Sequence, residues 1–196
     1  AISNPRCVAY DLVFGCPGWI QGVIQAYAFM MTGMAKKCMV IGTETLSRVV
    51  DVHDRDSMIY ADGAGATIFE TKEEDKKRGI LSFMTESYTK EEAYYLYLGK
   101  SNIQGSDPKV RYLKMNGRKI YEFSLRYVPG VIQKCLYKAD LDLTDVKKIL
   151  IHQANEKMDQ EIVKRLFKLY KIQDIPEDIM PMSIQKLGNN SVATVP

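Results

Sequence analysis

Short apolar runs alternate with amphipathic stretches along most of this chain, the pattern of helices layered on a sheet. Residues 7–14 read as a strand ending in a turn at Gly15, and a helix follows from Pro17, whose fixed φ and missing N–H suit a first helical position. Ile20, Val23, Ile24, Tyr27, Met30 and Met31 recur at three- and four-residue spacing, and Gly33 stops the helix. The continuous run at 38–42 predicts a buried strand of a parallel or mixed sheet, and 67–70 and 80–84 predict further strands. Apolar positions 120, 123, 127, 128, 131 and 135 predict a long amphipathic helix over 115–136, kinked at Pro129. Residues 149–152 form another apolar run and 156–170 a second amphipathic helix. The charged stretch 70–78 reads as a solvated turn, and the polar, aromatic stretch 86–107 takes no assignment.

With 196 residues, 46% of them hydrophobic and 26% charged, the chain can bury a core as one compact domain. A formal charge of +3 is too small to imply nucleic-acid binding. The most apolar stretch, 19–31, is broken by Gln21, Gly22 and Gln25 and falls short of the ~18 apolar residues of a membrane span. Cys7, Cys16, Cys38 and Cys135 lie far apart, without metal-ligand spacing, so reduced thiols in a cytoplasmic setting and no bound metal are expected.

Acid–base chemistry has two histidines to draw on, His53 and His152. His53, among Asp51, Asp54, Arg55 and Asp56, reads as an exposed loop residue. His152 ends an apolar run, where α/β proteins build ligand sites, although a satisfied structural histidine fits equally well. Cys16 lies between Gly15 and Pro17 at a helix N-terminus, where orphan N–H groups and the positive dipole end favour thiolate. The alternative is a small residue packed at a turn, the role expected of the other three cysteines. Gly188-Asn189-Asn190-Ser191 is a turn that presents an amide. Asp62-Gly63-Ala64-Gly65-Ala66 is not a nucleotide motif and fits close backbone packing.

Taken in order, Phe14-Gly15-Cys16-Pro17-Gly18-Trp19, Val40-Ile41-Gly42-Thr43-Glu44, the 62–66 run, Ile151-His152-Gln153-Ala154-Asn155 and residues 188–196 resemble the β-ketoacyl-acyl-carrier-protein synthase III family. The resemblance extends from about residue 7 to 196 and is most specific at the H-Q-A-N and G-N-x-S motifs. It implies an α/β thiolase-like layered fold, α-β-α-β-α, incomplete here, with mixed sheets and buried helices, in an acyltransferase acting as a homodimer. By position, Cys16 resembles the nucleophile acylated by acyl-coenzyme A. His152 and Asn189 resemble the donors that stabilise the enolate of malonyl-acyl carrier protein as carbon dioxide leaves. This would initiate fatty-acid synthesis with no cofactor beyond the thioester substrates. Asn155 resembles a position near the phosphopantetheine arm. Lys157, Lys164 and Arg165, extended by Lys168, correspond to a docking patch for an acidic carrier protein, although a plain solvated helix face accounts for them as well.

Pro17 stands where a small residue such as Ala is expected, and Trp19 where Phe is expected, so both bear on the acyl pocket, which Tyr60 would also line. Residues 87–110 match nothing close. These departures keep open a specialised ketosynthase of polyketide, resorcinol or quinolone type. A non-catalytic partner subunit is the minor alternative, since Cys, His and Asn are all present. The family's N-terminal region and C-terminal glycine-rich segment have no counterpart here. Residues 1–196 are therefore expected to be the central and C-terminal catalytic portion of a longer fold, not competent alone.

Overall fold

The computed structural model describes residues 3–75 and 78–196. Helix α1 (Gly18–Met31) starts where the Gly15 carbonyl accepts the Gly18 N–H at 2.8 Å and ends at Gly33, whose φ of +74° gives the left-handed stop that glycine adopts without strain. It lies on β1 (Lys37–Thr45), which pairs antiparallel with β2 (Asp62–Glu70), Gly42 opposite Gly65. One hairpin face turns toward α1 and the chain end, whereas the other leaves Met39, Ile41 and Ile68 exposed.

The inward face is nearly free of side chains at one point, and this positions the site. A Cβ at Gly42 would fall 2.4 Å from the Val192 carbonyl oxygen, one at Gly63 2.8 Å from Asn190 Nδ2, and one at Gly65 2.7 Å from the Pro196 backbone. Glycine at these positions lets residues 190–196 press onto the hairpin, the close packing read from the 62–66 run.

Strands β3 (Leu96–Gly99) and β4 (Tyr112–Met115) pair antiparallel and lead into α2 (Gly117–Lys138), capped by the Asn116 side chain and helical through Pro129. Helix α3 (Glu156–Leu169) packs on α2 with the period of its apolar residues: Met158, Ile162, Val163, Leu166 and Phe167 are buried. Leu143 and Ile179 close the core around Leu166. The short helix α4 (Ile184–Leu187) and a 3₁₀ turn at Ser191–Ala193 end the chain.

Among the described residues, strand pairing is confined to these two antiparallel hairpin-like sheets. The strands expected at 7–14, 80–84 and 149–152 are not formed, because no described segment runs alongside to complete a ladder. Residues 149–152 are held instead by the Ile149 N–H, donated to Ile179 at 2.8 Å. The run at 38–42 belongs to an antiparallel pair open on one face, not to a strand buried on both. Cys7, expected in an apolar strand, is exposed. All four cysteines are free thiols, and His53 is exposed as expected.

Candidate active site

Three segments meet on the glycine seat: the turn before α1, the loop before α3 and the 189–194 turn. Ser191 is their meeting point. Its Oγ lies 3.6 Å from Cys16 Sγ, its N–H is donated to Asn189 Oδ1 at 3.0 Å, and its carbonyl lies 2.9 Å from Thr194 Oγ1, which reaches the His152 ring at 3.2 Å. Asn189 and Ser191 are each only 5% exposed. Asn189 is fixed by backbone pairing to both sides of Tyr60: its N–H goes to Ile59 at 2.8 Å and its carbonyl accepts Ala61 N–H at 2.9 Å. Gly188 makes this approach possible, since a Cβ there would fall 2.8 Å from the Ala61 Cβ and its φ is +70°. Ser191 has a φ of +52°, a left-handed conformation uncommon for residues other than glycine, which the Asn189 side-chain bond holds in place.

The same bonds settle which atoms remain free. Asn189 Oδ1 is occupied by a backbone N–H, so Nδ2 is the atom left to donate. Thr194 Oγ1 lies 2.9 Å from both the Ser191 carbonyl and Asn190 Oδ1 and 3.2 Å from His152 Nδ1, which anchors that edge of the ring to the 189–194 turn.

Burial is the largest influence on both titrating groups. It lowers the His152 pKa, opposed by Asp159 and the Ser191 carbonyl, so the neutral ring prevails at neutral pH. It raises the Cys16 thiol, while the Ser191 hydroxyl and a backbone bond pull it down and Glu44 pushes it up. The helix-end environment of Cys16 was expected to yield a thiolate below the ordinary thiol range. Desolvation outweighs it, so Cys16 rests as a thiol and needs a proton acceptor to react.

The remaining expected residues divide. Tyr60 lies near Cys16, its phenol pushed up to about 12 by burial and by Asp56 and Cys16, and its hydroxyl is bonded to Met115 Sδ at 3.7 Å. Trp19 packs on Phe69 at 6.3 Å with its Nε1 buried and unpartnered. Asn155 caps α3 through Oδ1, accepting Met158 N–H at 3.2 Å, which leaves only its Nδ2 for a ligand. Lys157, Lys164 and Lys168 are exposed within a narrow arc of α3. Arg165 sits apart, tied to Glu161 at 3.1 Å and to the Leu125 carbonyl at 3.4 Å. Ser191, Thr194, Gln153 and Asp159 escaped sequence reasoning. Gln153 is a clamp: its Oε1 accepts the N–H groups of Ser183 and Ile184 at 2.8 and 2.9 Å, and its Nε2 donates to Pro181 at 3.0 Å, tying the His152 loop to the segment that leads to Asn189. Only its place beside His152 could have flagged it.

The family model described as 3-oxoacyl-[acyl-carrier-protein (ACP)] synthase III matches residues 10–89, which include Cys16 and the glycine seat of β2. Along its whole length the chain is 33% identical to a β-ketoacyl-acyl-carrier-protein synthase III of Microcystis aeruginosa and 31% identical to one of Acaryochloris marina. The chain is a relative of the β-ketoacyl-acyl-carrier-protein synthase III family. It spans 58% of the length of each of those two relatives. The fold agrees. A synthase III from Thermus thermophilus superposes with a TM-score of 0.77 at 30% identity, over 95% of this chain and 56% of that one. A priming β-ketosynthase of a polyketide pathway superposes with a TM-score of 0.77 at 25% identity, over 95% and 54%. A crystal structure of another synthase III reaches 0.80 at 24% identity, over 98% and 59%, and speaks to the fold alone. The architecture is thiolase-like. Among the described residues no helix is long and apolar enough to cross a membrane.

Proposed function

We propose that the protein to which this chain belongs catalyses a decarboxylative Claisen condensation, with Cys16, His152 and Asn189 as its catalytic residues. The observation that carries this reading is that the 189–194 turn gathers a thiol, an amide and an imidazole: Cys16 Sγ lies 3.6 Å from Ser191 Oγ, Asn189 Oδ1 accepts the Ser191 N–H, and His152 Nδ1 lies 3.2 Å from Thr194 Oγ1. Cys16 Sγ attacks the carbonyl of an acyl-coenzyme A, its proton leaves through a base, and coenzyme A departs as the thiol. The carboxylate of malonyl-acyl carrier protein then leaves as carbon dioxide, and its electron pair forms a thioester enolate. Asn189 Nδ2 and His152 bind the enolate oxygen. The enolate carbon attacks the Cys16 thioester, the C–S bond breaks, and a β-ketoacyl-carrier product leaves with Cys16 restored. The thioesters supply their own activation, so the scheme calls for no further cofactor.

Lys157, Lys164 and Lys168 form the docking face for the acidic carrier protein, and Asn155 Nδ2 contacts the arm it delivers. Trp19 and Tyr60 border the acyl chain. Two copies pair through the sheet that contains β1, and the reaction takes place in the cytoplasm, where its substrates are made. The test supplies the full-length protein with a panel of acyl-coenzyme A primers and malonyl-acyl carrier protein. An acyl-enzyme mass adduct that Cys16→Ala abolishes, followed by a β-ketoacyl-carrier product, is the expected result. No adduct with any primer overturns the reading. The likeness to a priming polyketide ketosynthase, together with Trp19 beside the nucleophile, favours a specialised product as the second reading. Long or aromatic primers outperforming short ones would select it.

A further inference from the structure

The two groups assigned to the enolate oxygen reach the site from different layers of the fold. Asn189 belongs to the hairpin side, where its backbone pairs with Ile59 and Ala61. His152 belongs to the loop before α3, and α3 packs on α2. An oxygen held by both donors needs them at one fixed spacing, which neither layer sets alone. Gln153, next in the chain after His152 and 7% exposed, spans the gap. Its Oε1 accepts the Ser183 and Ile184 N–H groups at 2.8 and 2.9 Å, and the Ser183 hydroxyl lies 3.3 Å away. Its Nε2 donates to the Pro181 carbonyl at 3.0 Å. The partners fix the orientation of the amide, since only the oxygen can take two N–H groups and only the nitrogen can serve a carbonyl.

Those two N–H groups open α4, and a helix leaves its first donors without internal partners. Ser183, at the start, supplies no side-chain cap of its own, so Gln153 caps the turn from a remote segment. One turn later the Gly188 N–H closes on the Ile184 carbonyl at 2.9 Å, and Asn189 follows directly. A single peptide bond thus separates Gln153 from His152, and a single helical turn separates its other end from Asn189. We propose, resting on the condensation read above, that Gln153 is a positioning residue that sets the spacing between the His152 ring and the Asn189 amide. Its own amide is fully engaged, so it acts through these two residues and not on the substrate. Thr194 Oγ1, 3.2 Å from His152 Nδ1, steadies the ring at its edge, and Gln153 holds the backbone that carries it.

Decarboxylation of malonyl-acyl carrier protein by the full-length protein reads the pair of donors, and the yield of Cys16 acyl adduct reads the nucleophile. Gln153→Met keeps the volume and removes the amide. Decarboxylation should fall by about a hundredfold, the scale of a misplacement of about 1 Å, in kcat and not in KM, with the adduct yield unchanged. In an Asn189→Ala background the same substitution should cost almost nothing further, because the spacing it sets has lost its second member. Gln153→Glu should restore much of the activity at low pH, where a protonated carboxyl accepts from α4 and donates to Pro181. That activity should fade as the carboxyl ionises and faces the Pro181 carbonyl, with the adduct yield level throughout. Undiminished decarboxylation in Gln153→Met overturns the proposal, as does a loss by the same factor in both backgrounds, the mark of a merely structural effect. If Gln153→Met does not fold, Gln153→Glu decides, and a ratio to wild type that is flat with pH overturns the proposal too. A wild type that forms no adduct and releases no carbon dioxide overturns the condensation reading itself, whereas an active wild type matched by its Gln153 variants overturns only the clamp.

Discussion

Asp51 and Asp159 are both sealed from solvent, at 1% and 0% exposure, yet their surroundings are opposite. Asp51 accepts from Lys114 Nζ at 2.6 Å, Asn102 N–H at 2.7 Å, and His53 N–H and Ser101 Oγ at 3.0 Å. Lys114 is itself bonded to Asp54 at 2.7 Å and to the Asn102 side chain at 2.8 Å. Burial works against the Asp51 anion, but the donors overcome it and hold the carboxyl well below the usual range. Asp159 has no donor, so burial prevails and pushes it up to about 7. The number of donors, not the depth of burial, decides which aspartate is a fixed anion and which can exchange a proton. The saturated cluster stitches β4 to the 51–54 and 101–102 loops, and the unsaturated group stands beside the candidate site.

Breaking the saturated cluster should have the largest effect. Lys114→Met strands Asp51 without its cation and should lower the melting midpoint by about 10 °C, read by calorimetry. A shift within a degree or two would show that the cluster adds little. Asp159 should reveal itself through pH instead. Its pKa is raised on folding, so the native state binds more protons than the unfolded chain between pH ~4 and ~7, and stability falls as pH rises through that window. The loss amounts to at most about 4 kcal/mol, opposed below pH ~6.5 by the lowered His152. Urea melts at pH 5 and pH 8 should show this slope in the wild type and its disappearance in Asp159→Asn. Asp51→Asn should lose stability at pH 8 and lose progressively less, relative to wild type, as the pH falls into the acid range.

A smaller effect is expected at the nucleophile. Cys16 alkylation should rise with a midpoint above the ~8.5 of a free thiol, and Ser191→Ala, which removes a bond favouring the thiolate, should move it higher still. A midpoint below that of a free thiol would mean that the helix end overrides burial. The mildest change tests a cap: Asn155→Ala should cost about 1 kcal/mol in a urea melt. A rise in KM for the carrier thioester beyond what that loss explains would give Asn155 its role at the pantetheine arm.

Helices were the most legible part of the fold. All three long helices form where their period placed them, because a helix satisfies its hydrogen bonds within one segment. Only α3 buries its apolar residues as spaced: α1 leaves Ile20 and Met31 exposed, and the buried residues of α1 and α2 are Gly18, Ala26, Leu125 and Pro129. Strands fared unevenly for the opposite reason. β1 and β2 formed because each supplied the other's partner, whereas 7–14 and 149–152, apolar as well, have no strand paired with them among the described residues. At the site, Cys16, His152 and Asn189 were legible through motif and order. Ser191, Gln153 and Asp159 were not, since an ordinary serine, glutamine or helical aspartate gives no local sign of what it will touch.

By itself the sequence determined where the helices run, the buried face of α3, the glycine positions that admit close backbone contact and the family resemblance. All of these depend on residues near one another in the chain or on their order. Only the tertiary structure decided that Ser191 bridges three distant segments, that desolvation leaves Cys16 a thiol, and that Asp159 is buried without a donor. Protonation and burial depend on which atoms from remote segments surround a group, and that is fixed only when the 189–194 turn, the His152 loop and the hairpin pack together.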